Sequence, residues 1–162
     1  GHSRGGGISL IKAEEHPKIK KVITWAGVSD FKSRFFIGSD EFNTWKSEGV
    51  SYVENGRTKQ QMPHKFQFFE DFKKNEERLT IRRAVKHLQI PQLIIQGAKD
   101  MAVPVSEAKD LHRWNPKSKL IILKEADHVF GSKHPWKVKE WPSSLHKIVN
   151  FSISFIKDNS DK

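Results

Sequence analysis

The sequence predicts an α/β chain built on a parallel sheet with helices on its faces. Three apolar runs of strand length carry that prediction, at residues 20–27, 91–97 and 118–123. They lack the polar alternation of a half-exposed strand and read as strands buried on both faces. Helical segments stand between and around them. The order is helix, strand, insert, helix, strand, helix, strand, helix, which is the pattern of a parallel sheet. Three strands are few for such a sheet, and one edge is expected to be left raw.

The chain opens on Gly1-His2-Ser3-Arg4-Gly5, followed by Gly6 and Gly7. G-x-S-x-G marks a sharp strand-to-helix turn that lifts a serine hydroxyl clear of the backbone. Gly1 and Gly5 are expected to relieve the crowding of strand against helix. The competing reading is a flexible glycine-rich terminus. A strand is expected before such a turn, so the sequence reads as the C-terminal part of a larger unit. Residues 6–13 continue as a helix whose glycine-rich first turn is expected to pack tightly on a sheet. Residues 20–27 form a strand with a glycine stop, and Val28-Ser29-Asp30 opens a loop at its C-terminal end. Residues 31–45 are aromatic and irregular or helical. Residues 49–54 and 57–62 flank Asn55-Gly56, a strong signal for a hairpin with a tight turn. Residues 66–72 form an aromatic amphipathic segment. Thr80 caps a helix over 81–88, and Pro91 leads a buried strand ending at Gly97. Ser106 caps a helix running to Trp114, stopped by Asn115-Pro116. Residues 118–123 form another buried strand, and residues 143–156 a closing amphipathic helix. Three segments follow: 1–30 and 79–162 as the core, and 31–78 as an insert.

The 162 residues are 36% hydrophobic and 30% charged, enough for one globular domain. No apolar run approaches the ~18 residues of a membrane helix, so no membrane partner is expected. There is no cysteine, which rules out disulfides and thiolate metal sites and fits a reducing, cytoplasmic setting. The net charge of +10 invites a nucleic-acid reading. The Lys and Arg residues are scattered and often stand beside Glu or Asp, so that reading is set aside. Outside the candidate site, His16, His64, His87, His112, His134 and His146 show no ligand spacing. Ser29 and Ser132 lack the glycine turn.

Active groups in open α/β sheets collect beyond the C-terminal ends of the strands. The second strand is followed by Gly97-Ala98-Lys99-Asp100-Met101-Ala102-Val103-Pro104, and the third by Glu125-Ala126-Asp127-His128-Val129-Phe130-Gly131. Ser3, Asp100 and His128 thus stand in the order Ser…Asp…His. On these three motifs, nearly the whole chain resembles the C-terminal portion of the α/β-hydrolase superfamily. The nearest branches are the dienelactone-hydrolase-like and prolyl-oligopeptidase-like ones. The resemblance implies an α/β-hydrolase parallel sheet with flanking helices and a lid insert, its N-terminal strands missing. It implies a serine esterase in which Ser3 attacks a carbonyl, His128 moves the proton and Asp100 orients the imidazole. Asp127 and Asp30 are the alternative acids. The Arg4 N–H is placed to donate to an oxyanion at the helix N-terminus. No metal or cofactor is implied.

In this superfamily a lid often leaves the sheet where residues 31–78 do. The insert holds Phe31, Phe35, Phe36, Phe42, Trp45, Tyr52, Phe66, Phe68, Phe69 and Phe72, most of the chain's aromatic residues. They are expected to form a small core of their own and to offer a few rings to substrate. Trp25, Met101, Phe35 and Phe36 are the candidate pocket residues. The expected partners are a small ester or short peptide, the missing N-terminal half in cis or as a separate chain, and a second copy along the open edge. A peptidase and a non-catalytic interaction module are the alternative functions.

Overall fold

The computed structural model describes residues 1–55, 58–137 and 139–158. They form two compact units, one from Gly1–Asp30 with Thr80–Lys162 and one from Phe31–Leu79.

The first unit is built on a parallel sheet in the order β1-β4-β5, with β1 at Val22–Trp25, β4 at Gln92–Gly97 and β5 at Lys119–Leu123. Ile23 pairs with Leu93 and Trp25 with Ile95 on one side of β4; Ile95 pairs with Ile121 on the other. β4 is buried along its whole length. That is what a central parallel strand covered on both faces requires. β5 departs from the expectation of a buried strand. Its Lys119 and Ile122 are exposed, because a strand paired on one edge only receives less cover.

Residues alternate between the two faces of a strand. Ile23, Trp25, Leu93 and Ile95 face one way and meet Ile148 and Phe155 of α6 (Ser143–Lys157), with Phe130 among them. Thr24 faces the other way, toward α1 (Arg4–Glu15). α1 packs on both β1 and α4 (Ile81–His87), and α4 on α5 (Val105–Trp114). Arg83 of α4 and Glu14 of α1 add a two-pronged ion pair, each bond 3.0 Å long. Thr80 occupies the position before α4 as expected, but its side chain makes no capping hydrogen bond to the helix. α5 begins one residue before Ser106, with Pro104 ahead of it, so Ser106 lies inside the helix rather than capping it. Pro104 presets the backbone for a helix start without a side-chain cap. No described helix is long and apolar enough to cross a membrane.

The second unit holds a 3-10 turn (Lys32–Phe35), α2 (Asp40–Glu48), the antiparallel pair β2 (Val50–Glu54) and β3 (Gln61–Lys65), and α3 (Gln67–Lys74). Ser39 caps α2 by accepting from the Phe42 N–H at 3.1 Å. The expected hairpin is present, but Glu54 pairs with Gln61 rather than closing across Asn55-Gly56. The second strand therefore starts at Gln61, not at residue 57. Gly56 itself lies outside the described residues. Asn55 closes the longer connection by exchanging backbone hydrogen bonds with Lys59 and Gln60, each 2.8 Å. The unit's core is aromatic. Phe35, Phe42, Trp45, Phe66, Phe69 and Phe72 meet edge-on, tilted or stacked, at centroid distances of 4.8 to 6.3 Å. The Trp45 indole donates to the His64 carbonyl at 2.7 Å, tying α2 to β3.

Of the glycines in the first turn, only Gly5 departs from expectation. A Cβ on Gly5 would meet nothing within 4 Å. One on Gly6 would stand 2.7 Å from the Cα of Gly27, so α1 and the segment that follows β1 approach to backbone contact there. Gly1 is needed as expected, since a Cβ there would strike Gly5 O and Ser9 Oγ. Gly6→Ala is expected to cost about 1–3 kcal/mol of stability through overpacking. Gly5→Ala is expected to be neutral, or to gain up to ~1 kcal/mol from helix propensity. Urea unfolding of the two variants checks this; equal midpoints would dismiss the close contact as the reason for Gly6.

Candidate active site

Gly1 to Ser3 run alongside β1 as a parallel continuation of the sheet. The Trp25 N–H donates to Gly1 O at 2.9 Å and the Ser3 N–H to Trp25 O at 3.0 Å. The chain then turns sharply into α1. Ser3 takes φ 54° and ψ −126°, a region that L residues seldom occupy. The conformation is held from both sides, since Ser3 O accepts from Gly6 N–H at 2.9 Å and Val28 N–H at 3.2 Å. Arg4 is the first residue of α1, and its N–H points toward the helix N-terminal end, as every helical N–H does.

Asp100 follows β4 and His128 follows β5. The His128 Nδ1 and Asp100 Oδ2 are 2.8 Å apart. The Asp100 side chain is fully buried and that of His128 is 23% exposed. Asp100 Oδ1 accepts from the N–H groups of Ala102 and Val103, each at 2.8 Å. Burial pushes the Asp100 pKa up. The hydrogen bonds from Val103, His128 and Ala102 outweigh it and hold the carboxyl below its ordinary value of 3.8. An ionised Asp100 can only accept, so His128 donates from Nδ1. In the neutral ring that leaves Nε2 as the acceptor, the nitrogen able to take a proton from a third group.

The alternative acids lie elsewhere. Asp127 Oδ1 accepts from the N–H groups of Val129 and Gly131, at 3.2 and 2.8 Å, and so shapes the turn after His128. Asp30 is exposed in the loop after β1. Among the described residues no hydrogen bond joins the Ser3 hydroxyl to His128. The two segments meet through His2 instead. Its Nε2 donates to the His128 carbonyl at 2.8 Å, and the two rings lie 4.7 Å apart.

The four candidate pocket residues divide. Trp25 donates its indole N–H to Ser152 Oγ at 3.0 Å and packs edge-on against Phe130. Phe35 sits in the ring cluster of the second unit. Both carry packing duties that their sequence neighbours did not reveal. Met101 is 96% exposed and Phe36 is 72% exposed. Sequence reasoning passed over Gln96, whose Nε2 donates to Asp100 Oδ2 at 2.9 Å. The available signal was a polar residue at the end of the apolar run Leu93-Ile94-Ile95. Among the described residues no cluster of three or more His, Asp or Glu side chains offers a metal site.

The lowered Asp100 pKa makes stability depend on pH in a definite direction. The unfolded chain binds this proton more readily, so ionised Asp100 stabilises the fold above pH 3.8. That contribution drains away as the pH falls through the lower folded value. The stability difference between wild type and Asp100→Asn is expected to be constant above about pH 5 and to shrink below about pH 4. Urea unfolding across that range measures it, and a difference that does not change with pH would contradict the assignment.

No protein-family model and no curated protein matches the chain. Solved structures do. A putative hydrolase from Agrobacterium vitis S4 aligns with a TM-score of 0.71 at 20% identity, over 97% of this chain and 60% of that one. Alpha/beta hydrolase domain-containing protein 10 from mouse aligns with a TM-score of 0.63 at 17% identity, over 96% and 60%. Uncomplexed acylaminoacyl peptidase from Pyrococcus horikoshii gives 0.62 at 16% identity, over 97% and 23%. The chain thus spans about three-fifths of the first two structures and under a quarter of the third. With its sheet order and flanking helices, the chain has the fold of the corresponding part of these α/β hydrolases.

Proposed function

We propose that this chain carries the catalytic residues of a serine hydrolase of esterase type. The observation that supports it most is the buried, ionised Asp100 bonded to His128 Nδ1, at strand ends beside the strained Ser3 turn. In this reading Ser3 Oγ attacks the ester carbonyl carbon while His128 Nε2 takes the hydroxyl proton. The carbonyl electron pair moves onto oxygen, where the Arg4 N–H and the N-terminal end of α1 stabilise the charge. The intermediate collapses, the C–O bond to the alcohol breaks, and His128 returns the proton to the leaving oxygen. Water then attacks the acyl-enzyme with His128 again as base, releasing the acid and Ser3. Asp100 keeps the imidazole in the Nδ1–H form and stabilises its cation.

The rest of the enzyme is part of the proposal, because the chain spans only part of its structural neighbours. A further segment, in cis or as a separate chain, supplies the second oxyanion donor. One donor is worth about 3 kcal/mol of transition-state stabilisation, so the chain alone is expected to be a poor catalyst. Met101, exposed in the loop after β4, is offered to the acyl side of the substrate. A peptidase is the second reading, favoured by the similarity to acylaminoacyl peptidase.

The test uses a p-nitrophenyl ester panel, an N-acyl peptide and a fluorophosphonate probe, with the chain supplied with its upstream half. Turnover and labelling are expected to depend on Ser3, and Ser3→Ala to lower kcat by about three orders of magnitude or more. Faster cleavage of the acyl peptide than of any ester would favour the peptidase. Turnover unaffected by Ser3→Ala, or none at all, would sink the catalytic reading.

A further inference from the structure

β4 is buried from end to end, and Leu93, Ile94 and Ile95 are the residues such a strand calls for. Gln96 is not. It is fully buried at the C-terminal end of the strand. Its Nε2 donates to Asp100 Oδ2 at 2.9 Å and to Val103 O at 2.9 Å, with Gly97 O at 3.4 Å. Its Oε1 has no hydrogen-bond partner among the described residues. The orientation of the amide follows from charge. All three neighbours on the nitrogen side are acceptors, and a flipped amide would set Oε1 against a carboxylate and a carbonyl. A buried amide with an unmatched oxygen costs the fold stability that an apolar side chain of similar volume would not.

The compensation lies at the acid. Oδ1 of Asp100 is held by two backbone N–H groups, but among the described residues Oδ2 is bonded by Gln96 and His128 alone. Without the amide, Oδ2 would be anchored by the imidazole alone, the group whose charge changes during turnover. Gln96 also bonds Val103 O, so one side chain ties both the carboxylate and its supporting loop to the rigid central strand. We infer that Gln96 is a positioning residue, which fixes the plane of the Asp100 carboxylate and shares Oδ2 with His128. The catalytic consequence rests on the serine-hydrolase reading above; the geometric one does not.

Gln96→Met keeps the volume and removes the donor. In the full chain, NMR follows the Asp100 carboxyl carbon and the His128 Nδ1 proton. The Asp100 titration midpoint is expected to rise, since a hydrogen bond to the charged form is lost. The Nδ1 proton signal is expected to broaden through faster exchange. With the upstream half supplied, kcat is expected to fall about tenfold and KM to stay within about twofold. A folded Gln96→Met chain with an unchanged carboxyl titration and Nδ1 proton would overturn the inference. Should that variant not fold, Gln96→Glu preserves the shape and donates to Asp100 only while protonated. Its Nδ1 proton signal is expected to match wild type at low pH and depart from it once the shared proton leaves; a signal that never departs from wild type overturns the inference. Failure of the hydrolase reading looks different. Ser3→Ala and His128→Ala would then leave turnover unchanged, while Gln96→Met would still move the Asp100 titration.

Discussion

β4 lies between β1 and β5, and both of its edges are committed to backbone hydrogen bonds. The site depends on that pairing. Parallel strands in register release their following loops at the same edge of the sheet. The residues after β4 therefore bring Asp100 there, and those after β5 bring His128. Ser3 reaches the same edge because Gly1 to Ser3 run parallel to β1 and end level with Trp25. The loops add bonds of their own, the Lys99 N–H donating to Ala126 O at 2.9 Å and His128 to Asp100 at 2.8 Å. The packing of α6 on one face and α1 on the other covers the ladder.

A buried carboxylate in such a place is a liability unless it is bonded. Asp100 has donors on both oxygens, two from the backbone of its own loop and two from side chains. The bonds from Val103, His128 and Ala102 overcome the burial and keep it charged. The charge in turn decides which imidazole nitrogen carries the proton. Backbone and side-chain donors thus set the protonation pattern of His128 two bonds away, without direct contact with the nitrogen that would act as base.

The insert solves a different problem. It is too small to bury an aliphatic core, so it interlocks aromatic rings, each covering a large area from a short segment. Phe42 and Phe72 are buried by this means in a unit of short helices and a two-stranded sheet. That economy was legible as a cluster of Phe and Trp between residues 31 and 72. Which rings serve the cluster was not, because ring partners are chosen by contacts between elements distant in sequence. Phe35 joined the cluster and Phe36, its neighbour, stayed exposed at a left-handed residue.

The sequence by itself determined the order of elements, the parallel sheet and the three motifs. Each of these is written in local patterns: apolar runs, glycine stops, and the residues that directly follow a strand. It also favoured Asp100 over Asp127 as the partner of His128, because adjacent side chains in a loop rarely face each other. Tertiary structure decided what depends on distance between segments. It left Gly5 in open space and put the close contact at Gly6, since only the packed pair reveals which Cβ would strike Gly27. It drew Trp25 into the core through Ser152 and Phe130, more than a hundred residues away. It lengthened the hairpin connection, because Glu54 found its partner at Gln61. It also turned Gln96 from an odd residue in an apolar strand into a donor to the acid. Burial, close approach and hydrogen-bond geometry are properties of pairs, and a pair exists only once the chain has folded.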